Sequence, residues 1–262
     1  MKDVEKHGYI KLDLLGLKTI VALSSAVETI LPDASYHERK RWLKDIKLTD
    51  RRTLAAVRRG DTKLGFQFHT PVMSRAARQI QPQVFDDMAA LCAIVRPGAS
   101  DWIDAFARGD FRPEEPKLWP IVRDTRGIIL YQEQSMRCGN ELAGFTLEES
   151  DSLRRIIGKK LAEDMRKIRP KFIHGCINNG LTQESAENIF NIIKASERYS
   201  FNRAHSVSYG ILGFWTIYLY VHYPAHYIAA WANAYITDKE KVGVALAAAQ
   251  RNGIAILPPD VN

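Results

Sequence analysis

Cysteine is scarce in this chain: Cys92, Cys138 and Cys176 are the only three, and no two stand at CxxC spacing. That excludes a small disulfide-built fold and a zinc knuckle, and it fits reduced thiols in a cytosolic protein. The opening residues MKDVEKHGYIKLD contain no apolar signal core, so nothing supports secretion and a cytoplasmic location is expected. The one strongly apolar run, Gly210 to Val221 (GILGFWTIYLYV), ends at His222 and Pro224. It falls short of the roughly 20 residues that cross a bilayer, so a buried central helix is expected and no membrane partner. There are no internal repeats, low-complexity tracts or Gly-rich phosphate loops. His222 and His226 are four apart but straddle Pro224, which distorts any two-histidine metal face.

What is present is the composition of an ordinary globular protein, 46% hydrophobic and 26% charged over 262 residues, enough for one large domain or two smaller ones. The net charge of +7 is unevenly spread. His37 to Lys63 holds ten Lys/Arg against four Asp/Glu, and Arg154 to Lys171 holds eight against two, so the remainder is net acidic. Clustered cations gain from releasing condensed counterions, which favours a polyanion; an acidic protein or a membrane surface fits less well.

Along the chain, GYIKLD (residues 8–13) alternates as a short strand, and a helical pattern runs from Leu17 to Ile30 before Pro32. Lys11 and Asp13, two apart, share one face of such a strand; alone, Asp13 reads as a turn or helix-capping residue. Tyr36 to Arg59 is basic and helical, with a helix from a Thr49 or Asp50 cap to Gly60. It is either a DNA- or subunit-facing surface or a solvated face. Gln81 to Val95 predicts a helix with Phe85, Met88, Ala89 and Leu91 inward. In the turn after it, Arg96 either braces carbonyls or touches DNA. Asp101 to Arg126, broken by Pro113, Pro116 and Pro120, reads as a covering loop with short helices. Further helices are expected over Leu161 to Asn178, from Thr182 with Ile189, Ile192 and Ile193 inward, and over Asp238 to Asn252 before an extended exit.

Two stretches carry chemistry. Gly127 to Lys160 reads as a helix, a stop at Gly144, and a second helix opened by a Thr146/Glu149 capping box. In that second helix Leu153, Ile156 and Ile157 share one face, with Arg155 and Lys159 nearly opposite and Arg154 on the flank. Such a helix is either a phosphate reader or a solvated basic face. The other stretch, Tyr199 to Gly210 (YSFNRAHSVSYG), joins an aromatic, an amide, a cation and an imidazole at a break between helices. A ring there can stack on a base while Asn or Arg reaches sugar or phosphate; a core aromatic and a structural His205 are the alternatives.

The segments GYIKLDLLGLKTI, IVRPGA (Ile94–Ala99), YQEQ…AGFTLEESDSLRRIIGKK, YSFNRAHSVSYG and GIAILPPDVN, in this order, resemble the alpha subunit of bacterial DNA polymerase III, a family C DNA polymerase. The resemblance implies a mainly α fold: a palm-derived strand and helix remnant over residues 1–24 and a helical fingers domain over 25–262. It implies template-directed DNA synthesis with primer-template DNA, a dNTP, other replisome subunits and an N-terminal polymerase segment as partners. By this resemblance Asp13 is the catalytic, Mg²⁺-binding aspartate, Lys11, Arg154 and Arg155 contact the triphosphate, and Lys159 binds dNTP or DNA. Tyr199, Asn202 and His205 would border the nascent base pair, and Arg203 would be a further nucleotide contact. LGFQFH (Leu64–His69) matches a VFQLES-like element, with His69 and Thr70 in place of its acidic-serine ending. The family's other two aspartates belong to a PDFDVDF-like segment that does not occur here, so the catalytic set is incomplete. A non-catalytic DNA-binding module or a degenerate remnant is the alternative.

Overall fold

Helices dominate because the apolar residues recur at helical spacing and the breaks carry caps. The computed structural model describes residues 8–9, 16–96, 98–109, 111–159 and 162–258, and the predicted strand at 8–13 lies largely outside them. Fourteen α-helices are present among the described residues. They are α1 (Lys18–Ile30), α2 (Tyr36–Asp45), α3 (Arg51–Arg59), α4 (Pro71–Ile80), α5 (Phe85–Ile94), α6 (Ile103–Arg108), α7 (Trp119–Val122) and α8 (Gln132–Arg137). After them come α9 (Leu147–Lys159), α10 (Ala162–Asn178), α11 (Gln183–Ser196), α12 (Arg203–His222), α13 (Pro224–Ala234) and α14 (Lys239–Arg251). The described residues contain no strand, only an isolated parallel bridge between Tyr131 and Phe201. The expected mainly α class is what is found.

The chain divides into two compact units, one of Met1–Lys40 with Tyr223–Asn262 and one of Arg41–His222. In the first, α13 packs against both α1 and α14. Small residues let these helices approach closely: Ala22 and Ala26 on α1, Ala230 on α13, and Ala245, Ala248 and Ala249 on α14 are all buried. α13 follows Pro224 at a first helical position, where the missing N–H costs nothing; its weak pattern gave no expectation of a helix.

The second unit holds two apolar cores. One gathers α3, α4, α5 and the C-terminal half of α12 around Phe68, Met88, Leu91, Phe106 and Phe214. The other gathers α8 to α11 around Phe145, Phe172 and Phe190, whose rings meet in sequence at 6.0 and 5.5 Å. The three cysteines are free and buried, Cys92 in the first core and Cys138 and Cys176 in the second.

Several boundaries differ from those expected. The helix predicted over Gln81–Val95 begins at Phe85, because Gln81 takes a left-handed conformation (φ 52°) that ends the unanticipated α4, and Asp87 Oδ2 accepts the N–H groups of Gln83 (2.8 Å) and Val84 (3.3 Å). The helix predicted before Gly144 is shorter: α8 starts at Gln132 and passes into a π-helical turn, Cys138–Leu142, before Gly144 at φ 70°. α12 begins at Arg203, so Gly210 lies inside a helix and not at its start. Gly210 and Gly213 then serve packing, since Gly213 lies against the Phe68 ring and the Phe66 carbonyl. Thr216 Oγ1 fixes that approach, accepting the Phe66 N–H at 3.0 Å. No helix is long and apolar enough to cross a membrane among the described residues.

Gly175 of α10 sits so close to the Ala143 carbonyl that an added Cβ would collide with backbone, whereas Gly243 of α14 faces open space. Gly175→Ala is therefore expected to destabilise by about 1–3 kcal/mol through overpacking, and Gly243→Ala to stabilise by about 0.5–1 kcal/mol through helix propensity. Chemical denaturation of both variants checks this; equal shifts of one sign would contradict the packing described.

Candidate functional site

Three stretches far apart in sequence meet in the second unit: the turn after α5, the residues leading into α8, and the residues leading into α12. Phe201 N–H donates to the Leu130 carbonyl (3.0 Å) and Gln132 N–H to the Phe201 carbonyl (2.9 Å). Glu133 then takes the start of α12, accepting from Asn202 Nδ2 (2.9 Å) and from the Arg203 N–H (2.9 Å). Asn202 Oδ1 accepts the His205 N–H at 2.8 Å, which makes it the cap of α12. Arg96 closes the third side. Its Nε donates to the Ala93 carbonyl and its Nη2 to the Tyr199 carbonyl, both at 2.8 Å, and its guanidinium lies 3.8 Å from the Phe201 ring centroid. Of its two readings, bracing is the one seen.

Gln134 supplies the foundation. Its buried side chain accepts the N–H groups of Leu130 and Tyr131, both at 2.8 Å, and donates to the Ile121 carbonyl (3.0 Å) and Thr125 Oγ1 (2.6 Å). All four of its ordinary bonding positions are thus used. Neither Glu133 nor Gln134 is singled out by the sequence as a positioning residue. The signal available was the polar run Gln132–Ser135 directly after the apolar GIILY (residues 127–131).

The capping box of α9 is formed as the spacing predicts: Thr146 N–H donates to Glu149 (2.9 Å) and Glu149 N–H to Thr146 Oγ1 (3.2 Å). Leu153 and Ile157 are buried, anchoring the helix, and Ile156 is half-buried. Asp151 accepts from Arg154 at 3.0 and 2.7 Å and faces Arg155 Nε at 3.1 Å, so one carboxylate serves both guanidinium groups. Arg154's hydrogen bonds hold the Asp151 carboxyl below its usual range. Arg155 is the more exposed of the two arginines, 53% against 28% for Arg154.

A cleft of about 1160 Å³ is lined by Gly98, Trp102, Gly158, Glu197, Arg198 and Tyr199, among others. The end of α9 and Tyr199 are thereby brought to one cavity. Tyr199 is half-buried, its ring 5.5 Å from Trp102, and burial pushes its phenol up to about 12. Arg154, Arg155, Asn202, Arg203 and His205 are not in that lining; α9 contributes Ile157 and Gly158. His205 is exposed, stacked at 4.0 Å on Tyr209, and Arg203 lies 4.0 Å from Asp124. Lys159 closes α9, with its side chain outside the described set; Lys11 and Asp13 lie outside the described residues altogether. Among the described residues no group of three or more His, Cys, Asp or Glu side chains could hold a metal ion, so no chemical step is assigned to Mg²⁺ here.

Glu197, in the cleft wall, has a buried Oε1 with no hydrogen-bond partner among the described residues. Burial raises its carboxyl, with the Arg154 guanidinium opposing. A carboxyl raised on folding holds its proton more tightly in the folded chain. Its contribution to stability therefore falls as pH climbs from the ordinary value of 4.5 through the folded value, and stays low above it. Glu197→Gln is expected to melt higher than the parent at neutral pH, the gap closing as pH drops below about 4.5. Thermal melts across pH check this, and a gap that widens in acid would refute it.

Comparison with known proteins gives the family. The sequence model of the bacterial DNA polymerase III alpha subunit finger domain matches residues 21–180. The DNA polymerase III subunit alpha of Escherichia coli K12 is 36% identical over 273 residues, covering 99% of this chain and 24% of that protein. Those of Thermus aquaticus (35% identical) and Halalkalibacterium halodurans (34%) each match 100% of this chain, over 22% and 24% of their own lengths. The chain thus spans about a quarter of the relatives it matches. It belongs to the bacterial DNA polymerase III alpha subunit family, with the finger domain matched by residues 21–180.

Proposed function

We propose that this chain forms the fingers and the end of the palm, residues 1–24, of a template-directed DNA polymerase, binding incoming dNTP and primer-template DNA. The observation that carries this is that Ile157 and Gly158 of the capped α9 line one cleft with Tyr199, while Arg154 and Arg155 stand on the same helix outside its lining, in a chain of this family. Arg154 and Arg155 would exchange their shared Asp151 for phosphate oxygens, which guanidinium groups bind bidentately. Lys159, one turn on from Arg155, and Lys11 would add charge to the same triphosphate.

Tyr199, with its ring in the cleft, is the candidate for stacking on the nascent base pair. Arg203 and His205 would border the template side. Asn202 acts chiefly through position: both ends of its amide are bound within the protein, and a nucleotide contact there would cost the hydrogen bond to Glu133.

Polymerase palms supply carboxylates for Mg²⁺, which activates the primer 3′-hydroxyl and steadies the leaving pyrophosphate. Asp13 is this chain's one candidate ligand, so activity requires a second segment bearing the remaining aspartates.

Primer extension tests the proposal. The chain alone with dNTPs and Mg²⁺ is expected to extend nothing, and the chain with a segment carrying the other palm aspartates to extend. Extension by the chain alone, lost in Asp13→Ala, would overturn the incomplete-site argument. In the reconstituted enzyme, Arg154→Gln with Arg155→Gln is expected to weaken dNTP affinity about 10- to 100-fold, the loss of one or more charge-assisted hydrogen bonds of roughly 1.5–3 kcal/mol. Unchanged affinity would remove these arginines from the site.

A further inference from the structure

The second basic stretch is not absorbed by that reading. α3 is strongly two-sided: Thr53, Leu54, Ala56 and Val57 are buried, while Arg51, Ala55 and Arg59 recur at four-residue spacing on the outer face. Its ends are fixed, Asp50 accepting the Thr53 N–H at 2.8 Å and Gly60 closing the helix at φ 70°. Before it, Arg41 and Lys44 share one side of α2, while Trp42 and Leu43 turn towards the core.

The two helices are neighbours. Trp42 meets the Tyr218 ring edge-on at 6.5 Å, and Arg52 reaches the Val221 carbonyl and His222 Nδ1, each at 3.4 Å. Both therefore rest on the last turns of α12. Arg41, Lys44, Lys47, Arg51, Arg59 and Lys63 are all exposed and have no ion-pair partner among the described residues. Of the acids between Arg41 and Lys63, Asp50 is spent on the α3 cap and on His222 Nε2 at 3.0 Å, while Asp45 and Asp61 are exposed. His222 and Thr53 both act to hold its carboxyl low against the opposing effect of burial.

The six cations named outnumber the two exposed acids among them, Asp45 and Asp61, and Arg51 and Arg59 stand on a rigid, core-anchored helix. Over the nine residues from Arg51 to Arg59 the helix rises about 12 Å, along which one strand of a duplex sets three to four phosphates at about 3.4 Å spacing. We infer that the outer faces of α2 and α3 form a second nucleic-acid contact, distinct from the α9 cleft, that holds the phosphodiester backbone of the template without reading its sequence. This rests on the DNA-binding reading above.

The test is fluorescence anisotropy of the 262-residue chain with a labelled single strand and a labelled duplex across a salt series. The variants are Lys44→Gln/Arg51→Gln/Arg59→Gln and, separately, Arg154→Gln/Arg155→Gln. Glutamine keeps helix propensity at these exposed positions, and circular dichroism confirms folding. The triple variant is expected to lose at least about tenfold in affinity near 0.1 M salt. Its log–log salt slope should shrink by about 2.7 if the partner is duplex and about 2.1 if it is single-stranded. A triple variant with the parent's slope and affinity on both DNAs, while the parent binds, overturns this inference alone. A parent that binds neither DNA overturns the DNA-binding reading together with it.

Discussion

The carboxylate of Glu133 is the joint of the second unit. α12 is twenty residues long, and its first turn presents N–H groups with no partner inside the helix, at the positive end of its dipole. Glu133 brings a negative charge to that end, binding the Arg203 N–H directly and holding Asn202 so that its other side-chain atom caps His205. Hydrogen bonds to a charged group contribute about 1.5–3 kcal/mol each, a class that the two Glu133 bonds share with those of Arg96. Arg96 cannot replace Glu133. Its two carbonyl bonds hold the backbone ahead of α12 and leave the helix N-terminus untouched. Where the base-facing candidates Tyr199 and His205 point is thus decided about seventy residues away in the chain.

The same economy governs the other buried charges. Asp87 is almost wholly buried and survives because Arg126 pairs with it at 2.8 Å while two backbone N–H groups bind its other oxygen. Removing one partner of such a pair costs far more than the pair contributes net, because the remaining charge is stranded. Glu197 is the exception. It keeps a buried oxygen without a hydrogen-bond partner among the described residues, and its environment answers by favouring the protonated form.

How much of this the sequence disclosed follows from distance along the chain. Thr146 and Glu149 are three residues apart, so their capping box is written locally and formed where expected. The Asp50 cap and the Gly60 stop of α3 were legible for the same reason. The start of α12 was not, because the residue that charges its N-terminus is Glu133, and no periodicity links Glu133 to Asn202. α4 and α13 escaped notice since each begins at a proline after a polar or aromatic residue, a pattern that reads equally as a turn. Family resemblance brought the candidate site residues to attention, but their division between the cleft and the far side of the junction is a matter of tertiary packing.

The three cysteines give the fold a means of observing itself. Burial pushes the Cys92 and Cys176 thiols up to about 12 and Cys138 higher still, so the reactive thiolate scarcely exists in the closed chain. Cys92 belongs to one core of the second unit and Cys138 and Cys176 to the other. Each core therefore becomes alkylatable only when it opens, and the order in which the three sulfurs are trapped records which half of the unit breathes first.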